Sequence, residues 1–250
     1  TSWAYLVAQL GKVLFASLVV GLVLPLILLS KFSLAATITL ILASWIVFAI
    51  GKDIINKVAN RRSTLAGLKS LSFSYYGMVL AHIGIAVMLI GAALTSFFSE
   101  ERSVLLAPGE SVELGGYLFT LEGSERIEGP NYIGDEVELT VINDGEPLTV
   151  LYPQRRLYVA SGTPSTEMAI DAGFFRDLFV TLGEEKGSGV WSMTLYVKPF
   201  VRWIWLGAIF MAIGGTLAAG DKRYRRLRIK AAEKSGMGSK TQTAAELQPA

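Results

Sequence analysis

A single histidine, His82, stands inside a run of 30 residues, Ser70–Ser99, that contains no Asp, Glu, Lys or Arg, with 12 such residues before it and 17 after it. An ionisable side chain in the middle of an apolar segment is costly to charge and needs a hydrogen-bond or metal partner. Two chemistries fit. A neutral imidazole offers a nitrogen lone pair to a metal, haem iron above all, without burying charge. Equally, it can bond a carbonyl or hydroxyl of a neighbouring helix and serve packing alone.

The spacing around His82 favours a helix with two unlike faces. Gly77, Gly84 and Gly91 recur every seven residues and form a smooth stripe that lets another helix approach closely. At about 100° per residue His82 projects roughly opposite that stripe, with Tyr75, Met78, Ile85, Ala86 and Leu89. Such a face suits the edge of a macrocycle and suits a plain helix contact as well.

Other chemistry is scarce. The chain has no cysteine, which removes disulfides, thiolate metal sites and CxxC redox chemistry, so thiols must come from a partner. No histidine lies outside the Ser70–Ser99 run, so no Ser–His–Asp system can be assembled in water. Glu136 and Glu138 share one strand face and read as a solvated face rather than a catalytic pair. Gly215–Lys222 has the spacing of a phosphate loop but lacks its Lys-Ser/Thr ending and a preceding strand. Phe200, Trp203 and Trp205 with Lys198 and Arg202 read as an interfacial belt with snorkelling bases.

The elements that must carry these residues follow from charge. Only 18% of the 250 residues are charged, 52% are apolar and the mean hydropathy is +0.46. Four stretches lack Asp, Glu, Lys and Arg altogether: Val13–Ser30, Phe32–Gly51, Ser70–Ser99 and Trp203–Gly220. Each is long enough to cross a hydrocarbon core of about 30 Å. A water-soluble enzyme and a nucleic-acid-binding module are excluded. The first run is too long for a signal-peptide core and no A-x-A site follows it, so it reads as a span. Thr1 is not an initiator methionine, and the sequence reads as a piece of something longer, with Trp3 and Tyr5 ending a span that begins upstream.

Residues 100–199 hold 17 acids and 7 bases, while the rest of the chain holds 4 acids and 16 bases. The basic loop 52–69 and the basic tail 221–250 flank spans and are therefore expected in the cytoplasm, which places 100–199 outside. The expected layout is two transmembrane helices in 1–51, the loop, a helix over 70–99, the outer domain, a last helix over 200–220, and a tail without hydrophobic period. Alternating runs predict an all-β outer domain with strands at Ser111–Leu114, Tyr117–Glu122, Glu136–Ile142, Leu148–Tyr152, Thr166–Ile170, Asp177–Leu182 and Trp191–Lys198, and a hairpin turn at Asn143–Glu146. The fold class is thus a polytopic α-helical membrane protein of four spans with an inserted all-β domain.

The ordered residues resemble a family. Phe73–Gly84, Tyr152–Tyr158 followed by Thr166–Glu167 and Arg176–Leu178, and Lys198–Gly207 are similar to the C-terminal part of CcmF, the membrane haem lyase subunit of bacterial cytochrome c maturation, over about residues 65–226. The resemblance implies that His82 is an axial ligand of a b-type haem shared with a histidine on a helix outside this chain. It implies an inner-membrane location with 100–199 in the periplasm. It implies a reaction joining haem vinyl groups to the two thiols of a CxxCH motif in apocytochrome c. The implied partners are the N-terminal part of the lyase, a haem-delivering chaperone, apocytochrome c with its thiol-handling proteins, and lipid. The family's tryptophan-rich periplasmic segment and its two periplasmic histidines do not match any residue here, so haem attachment by this chain alone is not expected. Two other readings stay open on the residues: a non-enzymatic membrane subunit in which His82 is structural, and a small b-haem electron-transfer anchor formed across a homodimer.

Overall fold

The computed structural model describes residues 3–28, 32–59, 61 and 63–220. The expected tail 221–250 lies outside the described residues. Five helices and ten strands follow in chain order: α1 (Trp3–Leu28), α2 (Leu34–Ala59), α3 (Thr64–Lys69), α4 (Phe73–Phe98), β1 (Glu100–Leu106), β2 (Ser111–Leu114), β3 (Tyr117–Glu128), β4 (Tyr132–Asn143), β5 (Glu146–Leu151), β6 (Gln154–Tyr158), β7 (Thr163–Glu167), β8 (Ala169–Ala172), β9 (Arg176–Glu185), β10 (Trp191–Pro199) and α5 (Val201–Ala219).

Among the described residues, α2, α4 and α5 are long and apolar enough to cross a bilayer. α1 is a 26-residue helix in which Leu10–Leu26 is an apolar stretch of 17 residues. Three of the four expected spans are thus long apolar helices, and the charge-free run Val13–Ser30 behind the remaining one lies in α1 and continues into residues 29–30, outside the described ones. The segment 52–69, expected as a loop, is mostly helical. Its first turns continue α2 to Ala59, because Lys52, Asp53 and Lys57 leave Ile54, Ile55 and Val58 to maintain a helical period, and its end forms α3 under the Ser63 cap, whose side chain accepts from the Ala66 N–H. Ser72 caps α4 in the same way, accepting from the Tyr75 N–H.

The β-domain is a sandwich. One sheet has the order β1-β10-β9-β8; the other runs β2-β3-β4-β6-β7, with β5 also on β4. Alternate residues point inward: Trp191, Met193, Leu195 and Val197 on β10, Leu178, Val180 and Leu182 on β9, Val137, Leu139 and Val141 on β4, with Phe119 and Leu121 on β3. Fully burying a side chain of this kind contributes about 1.5–3 kcal/mol, so these rows hold the two sheets face to face. The turn at Asn143–Glu146 forms as expected, with Asp144 and Gly145 both at positive φ (51° and 82°), as a two-residue hairpin whose twist matches its strands requires.

Three strand expectations are corrected. Glu100–Leu106 was not expected as a strand; it is an edge strand pairing only with β10, and its charged start is what an exposed edge tolerates. The run Thr166–Ile170 was expected as one strand; alternation continues through Met168, but there the chain leaves one sheet (β7) for the other (β8). The strand Leu148–Tyr152 is followed by a further one, β6, on the same edge of β4. Pro153 breaks the ladder between them because it has no N–H to give, although its carbonyl accepts from Val137.

Two single residues join membrane and sandwich. Ser99 separates α4 from β1, and Phe200 separates β10 from α5. The two junctions are tied to each other, since the Thr95 hydroxyl near the end of α4 donates to the Pro199 carbonyl at 2.6 Å.

Candidate functional site

The helix that carries His82 is held from two sides. On one side α5 runs antiparallel to α4 at glycine-limited distance. A Cβ on Gly77 would stand 2.6 Å from the Gly214 carbonyl oxygen, one on Gly84 would stand 2.6 Å from that of Gly207, and one on Gly91 would stand 2.9 Å from the Ile204 nitrogen. The seven-residue stripe thus meets Gly207 and Gly214, themselves seven apart, on the partner helix. On another side the Tyr75 hydroxyl donates to Asp53 Oδ2 of α2 at 2.7 Å. Lys57 Nζ lies 2.8 Å from Asp53 Oδ1 and 4.9 Å from the centroid of the Tyr75 ring. Ala36 and Ala43 of α2 and Ala86 and Ala93 of α4 are buried.

His82 is on neither packed face. Its side chain is exposed, on the strip shared with Met78, Ile85 and Leu89, whereas Tyr75 and Ala86, expected on the same face, are respectively bonded to α2 and buried. His82 Nδ1 lies 2.8 Å from the Met78 carbonyl oxygen, one turn earlier in its own helix. A carbonyl only accepts, so Nδ1 donates, and in a neutral ring Nε2 is then the nitrogen that carries the lone pair. Metal-binding histidines are commonly oriented in this way, by a backbone carbonyl on the far nitrogen. Among the described residues no group of three or more His, Asp or Glu can hold a metal ion, so His82 offers one protein ligand and no cage. The residues fit a group that needs one nitrogen from this helix and its remaining ligands from elsewhere.

The other sequence candidates are placed plainly. Glu136 and Glu138 do share a face, where Gln154 bonds Glu136 and the Tyr152 hydroxyl donates to Glu138 at 3.4 Å. Burial and the Glu138, Glu136 and Glu125 carboxylates raise the Tyr152 hydroxyl above its usual range, so this face holds a neutral phenol beside acids. Gly215–Ala219 is the last part of α5, a helix and not a loop. Aromatic residues do cluster at the start of α5, while Lys198 lies over the Phe179 and Tyr196 rings of the sheet. Trp203 packs on Phe200 with ring centroids 4.9 Å apart, and it also meets Phe174 at 5.9 Å and Phe175 at 6.3 Å, two residues of the β8–β9 turn that sequence reasoning passed over. Asp53 falls within the segment expected as a basic loop, and its sequence signal is its spacing of four from Lys57 on a continuing helix.

Residues 97–199, the sandwich with its two flanks, match a family model described as the CcmF C-terminal beta-sandwich. The chain belongs to the CcmF family, whose C-terminal part it matches. It is 44% identical over 236 residues to the cytochrome c-type biogenesis protein CcmF of Pseudomonas fluorescens, covering 94% of this chain and 36% of that one. It is 42% identical over 212 residues to that of Escherichia coli (strain K12), covering 84% and 32%. A solved structure titled Cytochrome c Heme Lyase CcmF shares the fold, with a TM-score of 0.66 at 23% identity over 84% of this chain and 34% of the other. The likeness thus extends beyond the residues 65–226 that carry the sequence motifs. The chain spans about a third of the length of the curated relatives it matches.

Proposed function

We propose that this chain is the C-terminal membrane and periplasmic part of a cytochrome c-type biogenesis haem lyase in a bacterial inner membrane, and that His82 supplies one axial ligand to a b-type haem. The second ligand is a histidine of another segment, since His82 is the sole histidine of the sequence. The observation that carries this reading is the Nδ1 contact with the Met78 carbonyl, which in a neutral ring leaves the lone pair on Nε2, on an exposed residue of α4. The glycine contacts with α5 fix the rotation of α4, and so fix which way that strip faces. A neutral ring completes the ligation without placing a charge in the membrane.

His82 would hold a haem at that position, and the group would supply one-electron chemistry there. The chain itself contributes no thiol. Both thiols that take up the haem vinyl groups therefore belong to the apocytochrome. The β-domain is mounted at the end of α4 opposite the basic turns of α2 and α3, an arrangement that supports a periplasmic domain above a cytoplasmic basic edge.

Absorbance spectra test the reading. The chain purified alone is expected to show no b-type Soret band, and its assembly with the N-terminal part of a CcmF protein is expected to show one that His82→Ala abolishes while membrane insertion persists. A Soret band that survives His82→Ala in the assembly overturns the ligand assignment. A band from this chain alone supports the homodimeric anchor instead.

A further inference from the structure

The β8–β9 turn carries two aromatic side chains that the sandwich does not use. Phe174 and Phe175 are 52% and 60% exposed, outside the core. The turn that bears them is nonetheless tightly built. Arg176 Nη1 bridges to Asp171 Oδ2 at 2.5 Å, the Gly173 N–H donates to the Arg176 carbonyl at 2.8 Å, and the Phe200 N–H donates to the Phe175 carbonyl at 2.9 Å. The last bond ties the turn to the residue that starts α5. The two rings stand edge to face at 4.9 Å, and both contact Trp203.

Trp203 fixes their depth. It lies in the first turn of a membrane-spanning helix, so side chains within about one ring diameter of it stand at the level where hydrocarbon gives way to headgroups. Trp205, 71% exposed and about 200° further round α5, marks the same level on the other side of the helix. An exposed apolar pair on a rigid turn at that level meets lipid. Amphipathic and aromatic groups are favoured in this layer, where an apolar body is covered and polar neighbours stay wet. Arg202, exposed on the same turn of α5, is placed to reach phosphate as its stem lies along the apolar layer.

We propose that the β8–β9 turn is a membrane-docking tip, with Phe174 and Phe175 seated among the lipid headgroups of the leaflet on the β-domain's side. The tip adds a contact with the bilayer beside the α4 and α5 junctions and fixes the tilt of the sandwich over it. This inference rests on α5 being a span and is independent of the haem assignment.

The absence of cysteine makes site-directed spin labelling direct. Phe174→Cys and Phe175→Cys, each carrying a nitroxide, are reconstituted as the full 250-residue chain in nanodiscs of phosphatidylethanolamine and phosphatidylglycerol. Collision with oxygen, which concentrates in lipid, is compared with collision with a soluble nickel chelate. Ser188→Cys, in the turn at the opposite end of β9 about 30 Å away, is the aqueous control. Oxygen collisions are expected to exceed nickel collisions at position 174, position 175 or both, with the ratio inverted at 188. Excess nickel at both tip positions shows a turn in water, and weak collision with both reagents shows a turn covered by protein; either result overturns the proposal. Both side chains lie outside the core, so the substitutions leave the sandwich intact. Phe174→Trp, which keeps an aromatic ring, gives a second readout as added emission quenched by brominated lipid; added emission that brominated lipid leaves unchanged counts against the tip.

Discussion

Gly84 and Gly207 meet backbone to backbone across the α4–α5 interface: a Cβ on either would stand within 2.6 Å of the other's carbonyl oxygen. No side chain fits between them, and with the equally close Gly77–Gly214 pair they constrain the rotation of the helix that carries His82.

Adjacent glycines of α5 separate this effect from helix propensity. Gly214→Ala places a methyl group 2.5 Å from the Ala81 nitrogen, whereas Gly215→Ala meets nothing within 4 Å. Gly214→Ala is expected to destabilise the helix pair by about 1–3 kcal/mol, as overpacking does. Gly215→Ala is expected to be neutral or to stabilise by about 0.5–1 kcal/mol, because alanine is the better helix former. Thermal unfolding in detergent measures both, and equal effects would show that the stripe is not an interface.

A coupling between Tyr75 and Asp53 is expected from their 2.7 Å hydrogen bond. In a double-mutant cycle of Tyr75→Phe and Asp53→Ala, the interaction energy should be about 0.5–1.5 kcal/mol, the modest value for a hydrogen bond that is partly solvated. Additive effects on unfolding would mean that α2 is held by apolar packing alone.

A pH dependence follows from Asp177. Burial pushes its carboxyl above the ordinary value of 3.8, outweighing the Gly173 N–H and the Arg202 and Arg176 charges that pull it down, and Oδ1 has no hydrogen-bond partner. The folded state therefore holds the proton more tightly than the unfolded chain does. Stability from this residue is full below 3.8 and declines as pH rises from there through the raised value. Asp177→Asn should remove that decline, so the stability difference between variant and parent should grow across this window and then level off. Denaturant unfolding at a series of pH values checks it; a constant difference would show that the carboxyl is not desolvated.

Orientation is read by labelling whole cells. A cysteine replacing Ser188 is expected to react with an impermeant reagent from the periplasmic side, and one replacing Thr64 in the first turn of α3 to be protected. Reaction of both from one side would overturn the proposed topology.

Much of the architecture was legible because two signals are strong in any sequence: long charge-free runs, and alternation closed by a turn such as Asn143–Glu146. The glycine stripe was legible too, although its partner was not, because Gly207 and Gly214 acquire meaning only when set against Gly84 and Gly77. The strand β1 escaped notice because an edge strand keeps charges that an inner one cannot. The β7–β8 switch escaped because period two is the same in either sheet. Phe174 and Phe175 look like an ordinary core pair until the fold turns them outward beside Trp203. The Nδ1 contact of His82 was not legible either, since the choice of carbonyl depends on a side-chain rotamer and not on spacing.

Because one residue at each junction joins adjacent antiparallel helices to adjacent antiparallel strands, the sandwich has no swivel. Two short struts side by side, cross-braced by Thr95 and Pro199, permit little rocking and resist twist. A load applied to the far end of the sheets, such as a docking polypeptide, arrives at α4 and α5 as a torque on a paired shaft. Since those helices are keyed to each other by bare backbone, the torque turns them together. The two helices that set which way His82 faces are thus the same two that carry the sandwich.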